Sequence, residues 1–183
     1  MSLTRMPFAR WFALASVAVL LSGCFVSVMP LFGPDDADYP LADGTKLRLY
    51  TLDEEGKRTH DKPSEASVKR LDVGYLFTPQ DDKPFRAMFD DMRQGDFVGV
   101  AMPDGITGNP MYGLFRQKGK SWFAYAPVCS DFNDVAKAHG KKLSDFHIEK
   151  TDSDCRFKTY SDLKYALLFL AEYTPPSSEY VVE

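Results

Sequence analysis

Cys129, His139, His147 and Cys155 carry the ligand types of a structural zinc site, thiolate sulfur and imidazole nitrogen. Such sites usually hold two ligands together on one local element, as C-x-x-C or H-x-x-x-H. No such pair occurs here, so no metal is expected. Nucleophilic chemistry would need a free thiol beside a histidine base, or a serine on a turn such as G-x-S-x-G, which the chain lacks. Each histidine has a structural explanation. His60 lies in a polar loop. His139 falls at the end of an expected helix, where a partial positive charge is favourable. His147 shares the polar face of an expected short strand with Glu149, as a solvated pair.

Carboxylates come in runs: Asp35-Asp36, Asp53-Glu54-Glu55, Asp81-Asp82 and Asp90-Asp91. Paired acids can bind calcium or hydrolyse glycosides. None of these runs has the D-x-D-x-D-G spacing that surrounds one cation, and most fall where turns belong. The stretch MPDGITGNPMYG, residues 102–113, is rich in glycine and proline. A phosphate cradle needs a helix directly behind it, and here a strand comes next. It reads as a surface loop, and it is the first place to look for functional contacts. No ordered catalytic motif emerges, so the chain is read as a non-enzyme without a cofactor.

Different chemistry is written near the N-terminus. Arg5 and Arg10 form a short basic flank, Trp11–Leu21 an apolar core of signal-peptide length, and Leu21-Ser22-Gly23-Cys24 comes at once after it. No charge appears between Arg10 and Asp35, so a retained membrane span is the alternative. Pro30 and Gly33 would disturb such a helix. The four-residue box resembles the lipobox of bacterial lipoproteins. The resemblance covers only the first two dozen residues. It implies cleavage before Cys24, a diacylglycerol thioether on its sulfur, and usually acylation of the new amino group. Two or more acyl chains give stable anchoring. Phe25, where an Asp would resemble an inner-membrane retention signal, implies the outer membrane, facing the periplasm, in a Gram-negative envelope. Either reading of the segment exports the remainder of the chain.

With Cys24 assigned to lipid, Cys129 and Cys155 are left as an even pair in an oxidising compartment. A disulfide is the simplest expectation, which outweighs zinc ligation and a free nucleophilic thiol.

Removing residues 1–23 leaves 160 residues, enough for one domain. The lost segment carries two arginines and no acids, so the formal charge falls from −4 to −6. No Lys/Arg cluster is present, which argues against nucleic acid as a partner. The 14 Phe and 9 Tyr favour a packed, strand-rich core over disorder.

Hydrophobic periodicity outlines the elements that must position these residues. Residues 24–43 form the lipidated N-terminus and a tether, apolar at first and then rich in Asp and Pro. Phe25, Val26, Val28 and Phe32 either pack partly on the domain or dip into the membrane interface. The globular domain spans 44–183. Leu47, Leu49 and Thr51 alternate on one strand, and Leu71, Val73, Tyr75 and Phe77 on the next. Phe85, Ala87 and Phe89 form a third. DFVGVAM is apolar on both faces, as in a central strand, and residues 111–127 read as a hairpin turning at Lys118-Gly119. A short helix is expected over 131–139, ending at Gly140. FHIEK comes next as a short strand. A second helix begins at Thr159, with Asp162 completing a capping pattern. It buries Leu163, Ala166, Leu167, Phe169, Leu170 and Tyr173, and stops at Pro175-Pro176. SSEYVVE is a tail or an edge strand.

The expected class is α+β: an antiparallel meander of about six to eight strands, able to close into a barrel, with a short and a C-terminal helix packed on it. The helix would lie on a sheet face or plug a barrel mouth. Three functional classes are compatible with this pattern. The first is a non-catalytic binding or structural module of the cell envelope, held by lipid on Cys24 and facing an unknown envelope protein. The alternative is a lipocalin-like carrier or sensor of a small apolar ligand, and the second alternative an envelope hydrolase. A cavity lined by Phe77, Phe85 and Phe89 would favour the carrier. A closed core with an exposed apolar patch would favour the module.

Overall fold

The computed structural model describes residues 25–103, 109–151 and 154–183 of the chain. The leader, the lipobox and Cys24 lie outside the described residues, as does the middle of the 102–113 loop.

Eight strands close into an antiparallel barrel. They are β2 (Lys46–Thr51), β3 (Ser64–Arg70), β4 (Tyr75–Pro79), β5 (Phe85–Asp91), β6 (Asp96–Pro103), β7 (Met111–Lys118), β8 (Ser121–Tyr125) and β11 (Ser178–Val182). Neighbours in sequence are neighbours in space from β2 to β8. Between β8 and β11 the chain leaves the wall and makes α1 (Cys129–Ala138), β9 (Glu149–Lys150), β10 (Cys155–Arg156) and α2 (Tyr160–Tyr173). It then returns as β11, which pairs with β8 on one side and β2 on the other. The C-terminal segment, expected as a tail or an edge strand, is therefore the closing stave of the barrel. Closure removes the exposed sheet edge that an open meander would present.

Pleating sends alternate residues to opposite faces, and the two faces build two cores. Inward residues such as Leu47, Val68, Phe77, Phe89, Phe97 and Trp122 fill the barrel. Outward residues Met88, Val98, Val100, Tyr112 and Leu114 pack beneath the helices. β6 is buried on both sides because it has the barrel interior behind it and the helical layer in front.

α1 and α2 lie on the outer wall, away from the mouths, with Phe132, Leu163, Leu167 and Leu170 facing the sheet. The Thr159 side chain accepts from Asp162 N–H and caps α2. At the other end Thr174 Oγ1 donates to Leu170 O at 2.8 Å. Tyr173 departs from the expected stripe: it is 42% exposed and stacks on His139 at 3.7 Å between ring centroids. α1 starts at Cys129, two residues before its expected start, and His139 follows its last turn.

Residues 25–43 pack into the fold where a tether was expected. β1 (Phe25–Val26) runs parallel to β10, with Phe25 opposite Cys155, and antiparallel to β7, with Val26 opposite Met111. Phe25 and Phe32 are buried, and Phe25 packs edge-on against Phe132 at 5.0 Å. Of the residues expected to face either the domain or a membrane, Val28 alone is exposed, together with Met29. Among the described residues no helix is long and apolar enough to cross a membrane.

The run Leu71–Phe77 does not form one continuous strand. Leu71 N–H donates to Gly74 O at 3.0 Å, closing a turn between β3 and β4. Gly74 has φ +70°, and a Cβ there would lie 2.4 Å from Ala87 O, so only glycine fits. FHIEK likewise breaks: Leu143–Phe146 is a 3-10 turn, and His147 follows in the left-handed region at φ 51°.

Candidate functional site: the barrel interior

The sequence-derived candidates disperse to structural roles. Cys129 and Cys155 are joined, with Cα atoms 5.4 Å apart. His147 Nδ1 lies 2.8 Å from Asp162 Oδ1 rather than beside Glu149, and Glu149 meets Lys158 Nζ at 3.2 Å. The hydrogen bond from Thr159, then that from His147, hold the Asp162 carboxyl below its ordinary range. His60 is exposed. Asp53 Oδ1 accepts from the N–H groups of Glu55 and Lys57, both at 2.9 Å, and so closes its own turn. Asp36 accepts from Gly33 N–H, Asp82 from Lys83 N–H, and Asp90 from the Tyr160 hydroxyl. Among the described residues no three His, Cys, Asp or Glu side chains are grouped to hold a metal.

What the fold does assemble is an apolar interior. Phe77 and Phe85 face each other across the β4–β5 pair and stack at 5.2 Å. Phe89 meets Phe115 edge-on at 5.4 Å across the centre. That contact exists because residue 99, between them on β6, is glycine. A Cβ there would lie 2.4 Å from the Phe115 ring and 3.2 Å from Phe89. Phe97 packs on Trp122 at 5.0 Å.

One end of the barrel is capped by the segment before β2. Tyr75 points inward, and its hydroxyl accepts from Leu41 N–H at 2.9 Å and donates to Leu41 O at 2.8 Å. Asp38 N–H donates to Phe89 O at 2.7 Å, opposite the stretch before β4 begins. Asp43 Oδ1 accepts from Arg70 N–H at 2.8 Å. At the other end β8 leaves β7 after Tyr125, and β1 takes its place beside Met111.

Within the barrel remains a cavity of about 80 Å³, lined by Phe77, Phe85, Phe89, Phe115, Trp122 and Tyr180 among others. Among the described residues, no Asp, Glu, Lys, Arg or His lines it. For comparison, an enclosed apolar void of about 150 Å³ admits benzene. The interior therefore has room for a few heavy atoms as it stands, and for a larger group only if side chains move. Tyr180 and Trp122 face each other across β11 and β8. Tyr180 was missed in the sequence because its segment read as a tail or an edge strand, which places no side chain inside the barrel. A wider surface cleft of about 370 Å³ runs between Leu52–Glu54, the start of α1 and Thr174–Ser177. Asp53, on its rim, is already committed to its turn.

Comparison with family models, with curated proteins and with solved structures gives no match.

Proposed function

We propose that the chain is an exported, non-catalytic barrel, anchored by lipid on Cys24, that takes up a small apolar molecule in its interior. The observation that carries this reading is the uncharged cavity lined by Phe77, Phe85 and Phe89. Burying an apolar group there gains transfer free energy with no charge to desolvate. The described lining is aromatic and aliphatic, which suits the binding of an apolar group. The leader and the Leu-Ser-Gly-Cys box support the anchor, and Phe25 after Cys24 supports an outer-membrane address facing the periplasm in a Gram-negative envelope.

The test is uptake of benzene or xenon by the purified chain, read as a rise in melting temperature. Ala101→Leu, which fills part of the lining, should remove that rise. Absence of any uptake by the wild-type chain would refute the carrier.

A second reading, docking to an envelope protein, is favoured by Tyr165 and Leu168, exposed together on the outward side of α2. Cross-linking from residue 168 in whole cells should then capture one partner, and Leu168→Glu should release it.

A further inference from the structure

Tyrosines inside a fold ordinarily pair their hydroxyls, and three of them do so here. Tyr75 bonds to Leu41, Tyr112 lies 2.8 Å from Ser27 Oγ and accepts from Leu31 N–H at 2.8 Å, and Tyr160 donates to Asp90. Tyr180 differs. Its ring points into the barrel, partly buried, and packs against Phe115 at 6.1 Å, and its hydroxyl has no hydrogen-bond partner among the described residues. The indole N–H of Trp122, directly opposite, has none either.

Neither group is sealed in side-chain packing. Among the described residues, Arg156 Nε is the polar side-chain atom that is fully enclosed and unpaired. The Tyr180 hydroxyl and the Trp122 N–H therefore front open space. Since both side chains are inside the protein and both line the cavity, that space is the cavity. Side chains at directly opposed positions start about 5 Å apart at Cβ, so both donors are carried by adjacent positions of the same lining.

Resting on the carrier reading above, we propose that the ligand is a neutral, mostly apolar molecule bearing one acceptor oxygen, of the ketone, ether or alcohol class, seated on Tyr180 and Trp122. A charged group is disfavoured, because the lining holds no counter-ion and desolvating an ion there is costly. An entirely apolar molecule fits less well, because it leaves both donors unpaired. The volume of about 80 Å³ limits the seated part to a few heavy atoms, so a longer ligand would bring one end into the barrel.

The test uses the full chain with Trp11→Phe, which leaves Trp122 as its single indole. Cyclobutanone and methylenecyclobutane have the same shape with and without the oxygen, and each is titrated against Trp122 fluorescence. Tyr180→Phe should weaken cyclobutanone roughly fivefold, the size of one net hydrogen bond, and leave methylenecyclobutane unchanged or slightly tighter. Without ligand, Tyr180→Phe should melt higher than its parent, since an unpaired hydroxyl is removed from an apolar lining. If Tyr180→Phe affects both probes alike, or lowers the ligand-free melting temperature, the proposal is overturned while the carrier stands. If neither probe binds the parent chain, the carrier and the proposal fall together.

Discussion

Phe25 lies directly opposite Cys155 in the parallel pair of β1 and β10, and Cys155 is bonded to Cys129 at the start of α1. The disulfide thus holds the slot in which the N-terminal strand sits. It bridges a sequence separation of 26 residues. Loop-closure entropy gives such a link about 3 kcal/mol of stability. Cys129→Ala with Cys155→Ala should lower the unfolding free energy by that amount in urea, and the wild-type thiols should resist alkylation until reductant is added.

Gly99 is set between Phe89 and Phe115. Gly99→Ala puts a methyl into the Phe115 ring, so the ring must turn or β6 must shift. Overpacking of this kind costs about 1–3 kcal/mol. We expect a lower melting temperature together with weaker uptake of apolar probes. Loss of stability with unchanged uptake would separate the two roles of the glycine.

Glu179 is buried on the outer wall, where it accepts from Arg58 Nε at 2.7 Å and from Ser121 Oγ at 2.7 Å. The Arg58 bond is the main cause holding its carboxyl below the ordinary value of 4.5. A depressed folded value contributes stability that is fully present above the unfolded value and is lost as pH falls through the folded one. Glu179→Gln should therefore cost about 1 kcal/mol near neutrality, a figure discounted because Arg58 is solvent-exposed. The gap from wild type should close as the pH drops below about 4.5. Melting curves across pH 3–7 measure this directly.

Cys24→Ser should block lipid attachment and leave uncut precursor in the cell, because the lipid is carried on sulfur. Gel mobility and mass spectrometry of cell-derived protein report it. Normal processing of that variant would remove the anchor from the proposed function.

Much of the barrel wall was legible. β5 and the β7–β8 hairpin were marked by alternation, β6 by its apolar faces, and α2 by its Thr159 cap and apolar stripe. Local pattern misled in three places, each for a physical reason. Leu71 and Val73 continue the alternation of Tyr75 and Phe77, so the left-handed turn at Gly74 is invisible in period alone. β11 looks like a tail because strand closure is a pairing between distant segments, and nothing within SEYVV names β2 and β8 as partners. Phe25 and Val26 extend the apolar run of the leader, which hides that they are core residues. The cavity itself depends on the summed volumes of inward side chains across eight strands, and no single segment encodes it.

The seating of β1 also orders events during biosynthesis. Phe25 and Val26 are among the first folded residues to be made, yet their strand partners, Met111 and Cys155–Arg156, come from the middle and the last third of the chain. Until those arrive, two large apolar side chains have no berth and must be shielded by other means. The earliest-made strand thus docks late, and a truncated nascent chain would display it as a sticky end for a chaperone to hold.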